Sequence, residues 1–127
     1  GLVYEFVELS EKTWKGLRIK DIVYDYSEDD FIQMYISDSL FMAELGLMGS
    51  GLQMWLQIMW FLSRTKGSST IILDEPDVYM HPDLQRKLIR IIKSRYPQTI
   101  IATHSVEIMA EVDSKNIITI NIRVIIL

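Results

Sequence analysis

Asp74 and Glu75 are adjacent carboxylates at the end of an apolar run, Thr70-Ile71-Ile72-Leu73, and Pro76 follows at once. Two acids so placed could do two kinds of chemistry. One carboxylate can hold a hard cation through oxygen, while another takes a proton from a water molecule. Successive strand side chains point to opposite faces, so the two acids need not share one task. A continuous apolar run suits a strand covered on both faces, as in the middle of a parallel sheet. Ligands of open α/β sheets gather outside the carboxyl ends of such strands, where Asp74 and Glu75 fall. A strand ending in an acidic turn is also common in α/β proteins, so other stretches must discriminate.

Leu45-Gly46-Leu47-Met48-Gly49-Ser50-Gly51-Leu52-Gln53 is the second informative stretch. Glycines let backbone approach a ligand closely, and a helix start offers unpaired N–H groups at its positive end. Together they make an anion site. The plainer reading is an N-cap by Ser50 with flexible glycines before it. Gln98-Thr99-Ile100-Ile101-Ala102-Thr103-His104-Ser105 is the third, a short apolar strand ending in a histidine. The helix and loop between the two strands allow a right-handed crossover, so both strand ends face one side. His104 then comes near Glu75, where a neutral imidazole could position a base or bridge to phosphate. Thr103 and Ser105 read as the start of a loop, not part of a core.

The elements that position these residues follow from periodicity. Leu52 to about Arg64 is a helix apolar almost all round, so it is buried or covers a partner. Asp83–Arg95 is an amphipathic helix with Pro82 in its first turn and Tyr96-Pro97 ending it. Its Arg86, Lys87, Arg90 and Lys93 form a basic stripe, which suits a solvated outer face better than a nucleic-acid surface. Val106–Val112 reads as a short helix, Asn116–Ile120 as a strand, and Asn121–Leu127 as an apolar tail, hazardous if uncovered. Before residue 45, Leu17–Tyr26 and Phe31–Ile36 read as a β-hairpin about the polar turn Ser27-Glu28-Asp29-Asp30. That turn lacks the glycine and spaced oxygen ligands of a calcium loop. Val3–Leu9 reads as a further strand or as the start of something continued elsewhere.

Composition bounds the rest. A length of 127 residues, 49% of them hydrophobic, suffices for one modest domain. The absence of cysteine excludes disulfides and thiolate metal sites. No long uncharged apolar stretch and no basic leader is present, so a cytoplasmic protein is expected. The net charge of −4 repels phosphate overall and leaves nucleic acid only a local patch or a wider assembly.

In order, Gly49-Ser50-Gly51-Leu52-Gln53, Leu73-Asp74-Glu75-Pro76, Asp77-Val78-Tyr79-Met80-His81-Pro82 and Thr103-His104-Ser105 resemble the signature, Walker B, D-loop and switch-histidine motifs of ABC-type ATPases. The His-Pro of the third motif and the variant signature look most like the RecF-like and OLD-nuclease-like branch, in DNA repair or phage defence. The resemblance implies ATP and Mg²⁺ as cofactors, Asp74 as the Mg²⁺ residue, and Glu75 as general base. It implies His104 as the switch residue beside that base. Gly49, Ser50, Gly51 and Gln53 would face nucleotide across a dimer; His81 would lie at that interface near the partner's site or, as the plainer alternative, cap the next helix. The signature departs from the usual pattern: with Gln53 aligned, the usual serine falls at Gly49, and Ser50 replaces a glycine.

A phosphate loop of the form G-x-x-x-x-G-K-[ST] does not occur in these residues. The resemblance covers about Leu45 to Ile120 and corresponds to the carboxyl-terminal half of such a domain. The expected fold is α/β: a partial P-loop NTPase domain with a largely parallel sheet flanked by helices, plus an N-terminal β-hairpin region. Residues 1–127 form one partial domain, with 1–44 as a β-rich lead-in and 45–120 as the motif-bearing segment. ATPase activity is expected only together with a Walker A-containing amino-terminal lobe, in a homo- or hetero-dimer. The alternative is a non-catalytic interaction or dimerisation module derived from such a domain.

Overall fold

A computed structural model describes residues 1–25, 31–38, 41–44, 49–120 and 123–126. The expected turn Ser27–Asp30 and the lead-in Leu45–Met48 lie outside these. The chain divides into two compact units, Gly1–Arg64 and Thr65–Leu127.

The first unit holds helix α1 (Leu2–Thr13), strands β1 (Leu17–Asp25), β2 (Phe31–Asp38) and β3 (Phe41–Glu44), and helix α2 (Ser50–Arg64). The expected hairpin is present as β1 and β2, antiparallel from Leu17 opposite Asp38 to Asp25 opposite Phe31, with β3 added as a third strand. A bulge between Ile19 and Asp21 shifts the register of β1. The segment Val3–Leu9, read as a strand in one of two alternatives, is helical. Phe6, Ser10 and Thr13 are buried at helical spacing. Phe6 meets Trp60 of α2 edge to face at 5.4 Å between ring centroids. Thr13 accepts a hydrogen bond from Trp55 Nε1 at 3.1 Å. Packing on α2 thus overrides the β-preference of Val3, Tyr4 and Val7. Trp55, Met59 and Leu62 are fully buried, which bears out α2 as a core helix. Truncating Trp55 to alanine would cost about 3–5 kcal/mol.

The second unit runs β4 (Thr70–Asp74), α3 (Pro82–Arg95), β5 (Gln98–Thr103), α4 (Val106–Ala110), β6 (Ile117–Ile120) and β7 (Arg123–Ile126). Its sheet has the order β4-β5-β7-β6. β4 and β5 are parallel, Ile72 opposite Ile100 and Asp74 opposite Ala102, as the crossover through α3 requires. β7 is antiparallel to both neighbours, so the α/β sheet is mixed where a largely parallel one was expected. Arg123–Ile126 of the apolar tail therefore lies inside the sheet, with Ile126 4% exposed.

β4 is not the doubly covered central strand that its apolar run suggested. Among the described residues its one neighbour is β5, and its residues alternate in burial. Ile71 is buried, whereas Ile72 is 69% exposed. The face bearing Ile71, Ile101 and Ile126 is buried within a unit whose helices supply Leu88, Ile89, Ile92 and Ile108.

Candidate functional site

The carboxyl ends of β4 and β5 bring the acid and the imidazole together. His104 Nε2 lies 3.3 Å from Glu75 Oε1, with side chains 50% and 28% exposed. The backbone explains the meeting. Parallel registration sets Asp74 beside Ala102, and the Glu75 N–H donates to the Ala102 carbonyl at 2.8 Å. Glu75 then leaves the strand with φ of 49°, in the left-handed region that most residues avoid. Strand alternation therefore separates Asp74 from Glu75 less directly than expected: the backbone turns between them. Asp74 is exposed at the strand end.

The loop after Glu75 is a compact turn. Val78 N–H approaches the Glu75 carbonyl at 3.4 Å, and Met80 N–H donates to the Asp77 carbonyl at 3.0 Å. Tyr79 has φ of 62° and is 72% exposed. His81 closes the turn as the N-cap of α3, its Nδ1 accepting from the Asp83 N–H at 3.3 Å, with Pro82 next. The imidazole is exposed, so capping leaves its other nitrogen accessible.

Thr103 and Ser105 were read as the start of a loop, yet both are buried, at 0% and 9% exposure. The Thr103 hydroxyl donates to Asp77 Oδ1 at 2.6 Å and accepts from the Ser105 N–H at 2.9 Å. Ser105 caps α4, its Oγ accepting from the Ile108 N–H at 3.1 Å, and it also meets Gln85 Oε1. The sequence carried one signal for these residues, a hydroxyl two positions before the amide that it binds, the pattern of a Thr-turn.

In the first unit, Gln53 N–H donates to the Gly49 carbonyl at 3.1 Å, which puts Gly49 at the N-cap of α2 and Ser50 in the first turn. The plainer reading of Ser50 as the N-cap is therefore shifted by one residue, to Gly49. Gly49 and Ser50 are exposed, with Gly51 and Gln53 half-buried. A Cβ built on Gly49 would meet no atom within 4 Å, and its φ is not positive. Neither packing nor backbone conformation among the described residues demands glycine there.

The basic stripe of α3 is matched by acids. Arg86 binds Asp83 and Glu107, and Arg90 grips Glu111 through two hydrogen bonds of 3.1 and 3.0 Å. Lys93 Nζ donates to the Glu111 carbonyl at 3.0 Å. The hydrogen bond from Arg90 holds the Glu111 carboxyl below its ordinary range. The hydrogen bonds of Arg86 to Asp83 and of Arg90 to Glu111 push both guanidinium groups up. The stripe therefore fastens α3 to α4 and its neighbours.

The chain belongs to the family described as "AAA domain, putative AbiEii toxin, Type IV TA system", whose profile matches residues 21–110. That places it among nucleotide-binding ATPase domains of ABC type, the class that the motif order implied. Among curated proteins, none matches it in sequence. Its fold is similar to that of a structure from work on ATP-driven dimerization and DNA-stimulated activation of SMC ATPases. There the TM-score is 0.76 at 14% identity, covering 98% of this chain and 81% of that one. It is also similar to the SmcHead bound to the C-winged helix domain of ScpA, with TM-score 0.68, 16% identity and 88% of this chain covered. A Smc head domain from Pyrococcus furiosus gives 0.65 at 16% identity, again over 88% of this chain. The chain spans 36% and 30% of those two proteins. No helix among the described residues is long and apolar enough to cross a membrane.

Proposed function

We propose that this chain supplies the hydrolytic half of an ABC-class ATP site, in an assembly whose amino-terminal lobe contributes the phosphate loop. The observation that carries the reading is the Glu75–His104 contact of 3.3 Å at the shared carboxyl end of two parallel strands. Glu75 is the general base that takes a proton from the attacking water. His104 holds the Glu75 carboxylate in place and offers its imidazole toward the reacting phosphate. Such proton transfer contributes about 10²–10⁴-fold to rate.

Asp74 is the residue that would hold Mg²⁺, which neutralises charge on the transferring phosphoryl group when bound. Among the described residues no group of three or more acids or histidines gathers to hold a metal alone. Mg²⁺ keeps several waters and relies on one or two carboxylates and substrate phosphates, so Asp74 would be this chain's contribution to its shell. Gly49 at the exposed start of α2 leaves open space where backbone N–H groups could meet an approaching anion. Ser50, Gly51 and Gln53 extend that surface, and His81 lies beyond the Walker B turn, where a dimer partner's nucleotide would come.

The dimensional likeness to SMC ATPases, one of them described by ATP-driven dimerization, supports a nucleotide-sandwich dimer. The family's description favours phage defence or toxin–antitoxin action over DNA repair, with nucleic acid engaged through the wider assembly. Glu75→Gln tests the reading in the ATP-hydrolysing assembly: turnover falls about 10²–10⁴-fold, and MgATP binding and dimer mass persist. Turnover near that of the unaltered protein would favour the alternative, a non-catalytic dimerisation module.

A further inference from the structure

A closed ring of hydrogen bonds runs beneath the Glu75–His104 pair without including either side chain. It passes from the Asp77 carboxylate to the Thr103 hydroxyl at 2.6 Å, then to the Ser105 N–H at 2.9 Å. From the Ser105 hydroxyl it crosses to Gln85 Oε1 on α3, and Gln85 Nε2 returns to the Met80 carbonyl at 2.9 Å. The Met80 N–H closes it on the Asp77 carbonyl at 3.0 Å. The donors run from Ser105 to Asp77 along two arms, one through the Thr103 hydroxyl to the carboxylate and one through the Gln85 amide and Met80 to the carbonyl, and the Gln85 amide is oriented from both ends.

Each member of the reactive pair hangs from one side of this ring. Glu75 stands just before Asp77, on a backbone held in the left-handed region. His104 stands between Thr103 and Ser105, so its own backbone is spanned by the Thr103-to-Ser105 bond. The Asp77–Thr103 bond is the rung joining the two sides, and it sits with a fully buried threonine. Charge-assisted bonds of this kind are shorter and stronger than neutral ones, and water competes poorly for a buried hydroxyl.

We infer that Thr103 and Asp77 are positioning residues that set the distance between the Glu75 carboxylate and the His104 imidazole. They touch no reacting atom. Thr103 presents one hydroxyl to both sides of the site, which valine has the shape but not the atoms to do. Gln85 and Ser105 then hold the loop end against α3, so that it cannot swing away as a unit.

This inference rests on the proposed hydrolytic role, and its test separates the two. In the ATP-hydrolysing assembly, Thr103→Val should lower kcat roughly 10–100-fold, in line with the loss of positioning of a general base, with KM changed less than about twofold. Thr103→Ser keeps the hydroxyl and should restore most of kcat. Asp77→Ala should give a large part of the Thr103→Val loss, and the double variant should be no worse than Thr103→Val, because the bond Asp77→Ala removes is one that Thr103→Val has already removed along with that to the Ser105 N–H. On the full chain, amide exchange at Glu75 should accelerate in Thr103→Val but not in Thr103→Ser. A folded Thr103→Val with unaltered kcat overturns the inference, as do additive losses in the double variant. Should Thr103→Val fail to fold, Asp77→Ala against Asp77→Asn decides: the alanine variant should lose kcat, and the asparagine variant, which keeps an acceptor for the Thr103 hydroxyl, should hold it within about threefold; equal kcat in the two overturns the inference. Glu75→Gln, run alongside, distinguishes the failures: its loss of turnover with a silent Thr103→Val sinks only the positioning role. A silent Glu75→Gln sinks the hydrolytic reading itself.

Discussion

His104 Nε2 and Glu75 Oε1 stand 3.3 Å apart although each arrives on a different strand. Neither side chain makes the meeting by reaching. The parallel pairing of β4 and β5 aligns Asp74 with Ala102, and the backbone bond from Glu75 to Ala102 fixes where the first acid beyond the strand begins. The remaining freedom lies in the loop after Glu75 and the turn around His104, and both are tied to Thr103. A base within hydrogen-bond reach of an imidazole is oriented before any substrate arrives.

His104→Ala should lower ATP turnover at least about tenfold while shifting the melting temperature little. The imidazole is half exposed and its contact is the Glu75 carboxylate, so its removal strips no core. Steady-state turnover of the assembly and a thermal melt of the chain check the two halves. A collapse of the melting temperature would show that His104 serves the fold.

That this pair meets was legible in the sequence because the topology brings both strand ends to one side. Two short apolar strands flank one amphipathic helix, the crossover has one hand, and the residues at both strand ends follow. The hairpin of β1 and β2 was legible for a similar reason, since β-branched and aromatic residues flank a polar turn. Helix α1 was not. Val3, Tyr4 and Val7 favour strand locally, and only Trp55 and Trp60 on α2 make a helix the better solution. That β4 has one neighbour among the described residues was equally hidden, because an apolar run reports how much cover a strand prefers, not which neighbour supplies it. Thr103 escaped notice for a subtler reason: a threonine ending a strand looks like a loop residue until its hydroxyl is seen bonded on two sides.

The Arg90–Glu111 pair gives the second unit a modest acid sensitivity. Arg90 holds the Glu111 carboxyl below its ordinary range in the folded chain. A depressed carboxyl contributes stability above its unfolded pKa of about 4.3 and loses that contribution as pH falls through the folded value. Arg90→Ala should therefore lower the melting temperature slightly at neutral pH, and the difference should close in acid. Added salt should narrow it as well, because the pair is exposed. Melting curves from neutral pH down to about pH 3 check this. A gap that widens in acid would contradict it.

Ser10 offers a stability test in the first unit. It lies in the buried stripe of α1 with 0% exposure, and its Oγ has no hydrogen-bond partner among the described residues. Nearby Thr13 shows the contrast on the same helix face. Its hydroxyl donates to the Leu9 carbonyl at 2.7 Å and accepts from Trp55 Nε1 at 3.1 Å. An unmet buried hydroxyl costs about 1–3 kcal/mol, and alanine is also the better helix former. Ser10→Ala removes the orphan atom while vacating the space of one oxygen. It should therefore stabilise the chain by about 1 kcal/mol, seen as a raised urea midpoint with unchanged slope. Thr13→Val keeps the volume but strands the Trp55 N–H in the core, and should destabilise by about 1–3 kcal/mol. The opposite signs at two buried hydroxyls on one helix face are the decisive feature. If Ser10→Ala lowers the midpoint, the Ser10 hydroxyl is satisfied in solution and the orphan-atom account of α1 fails.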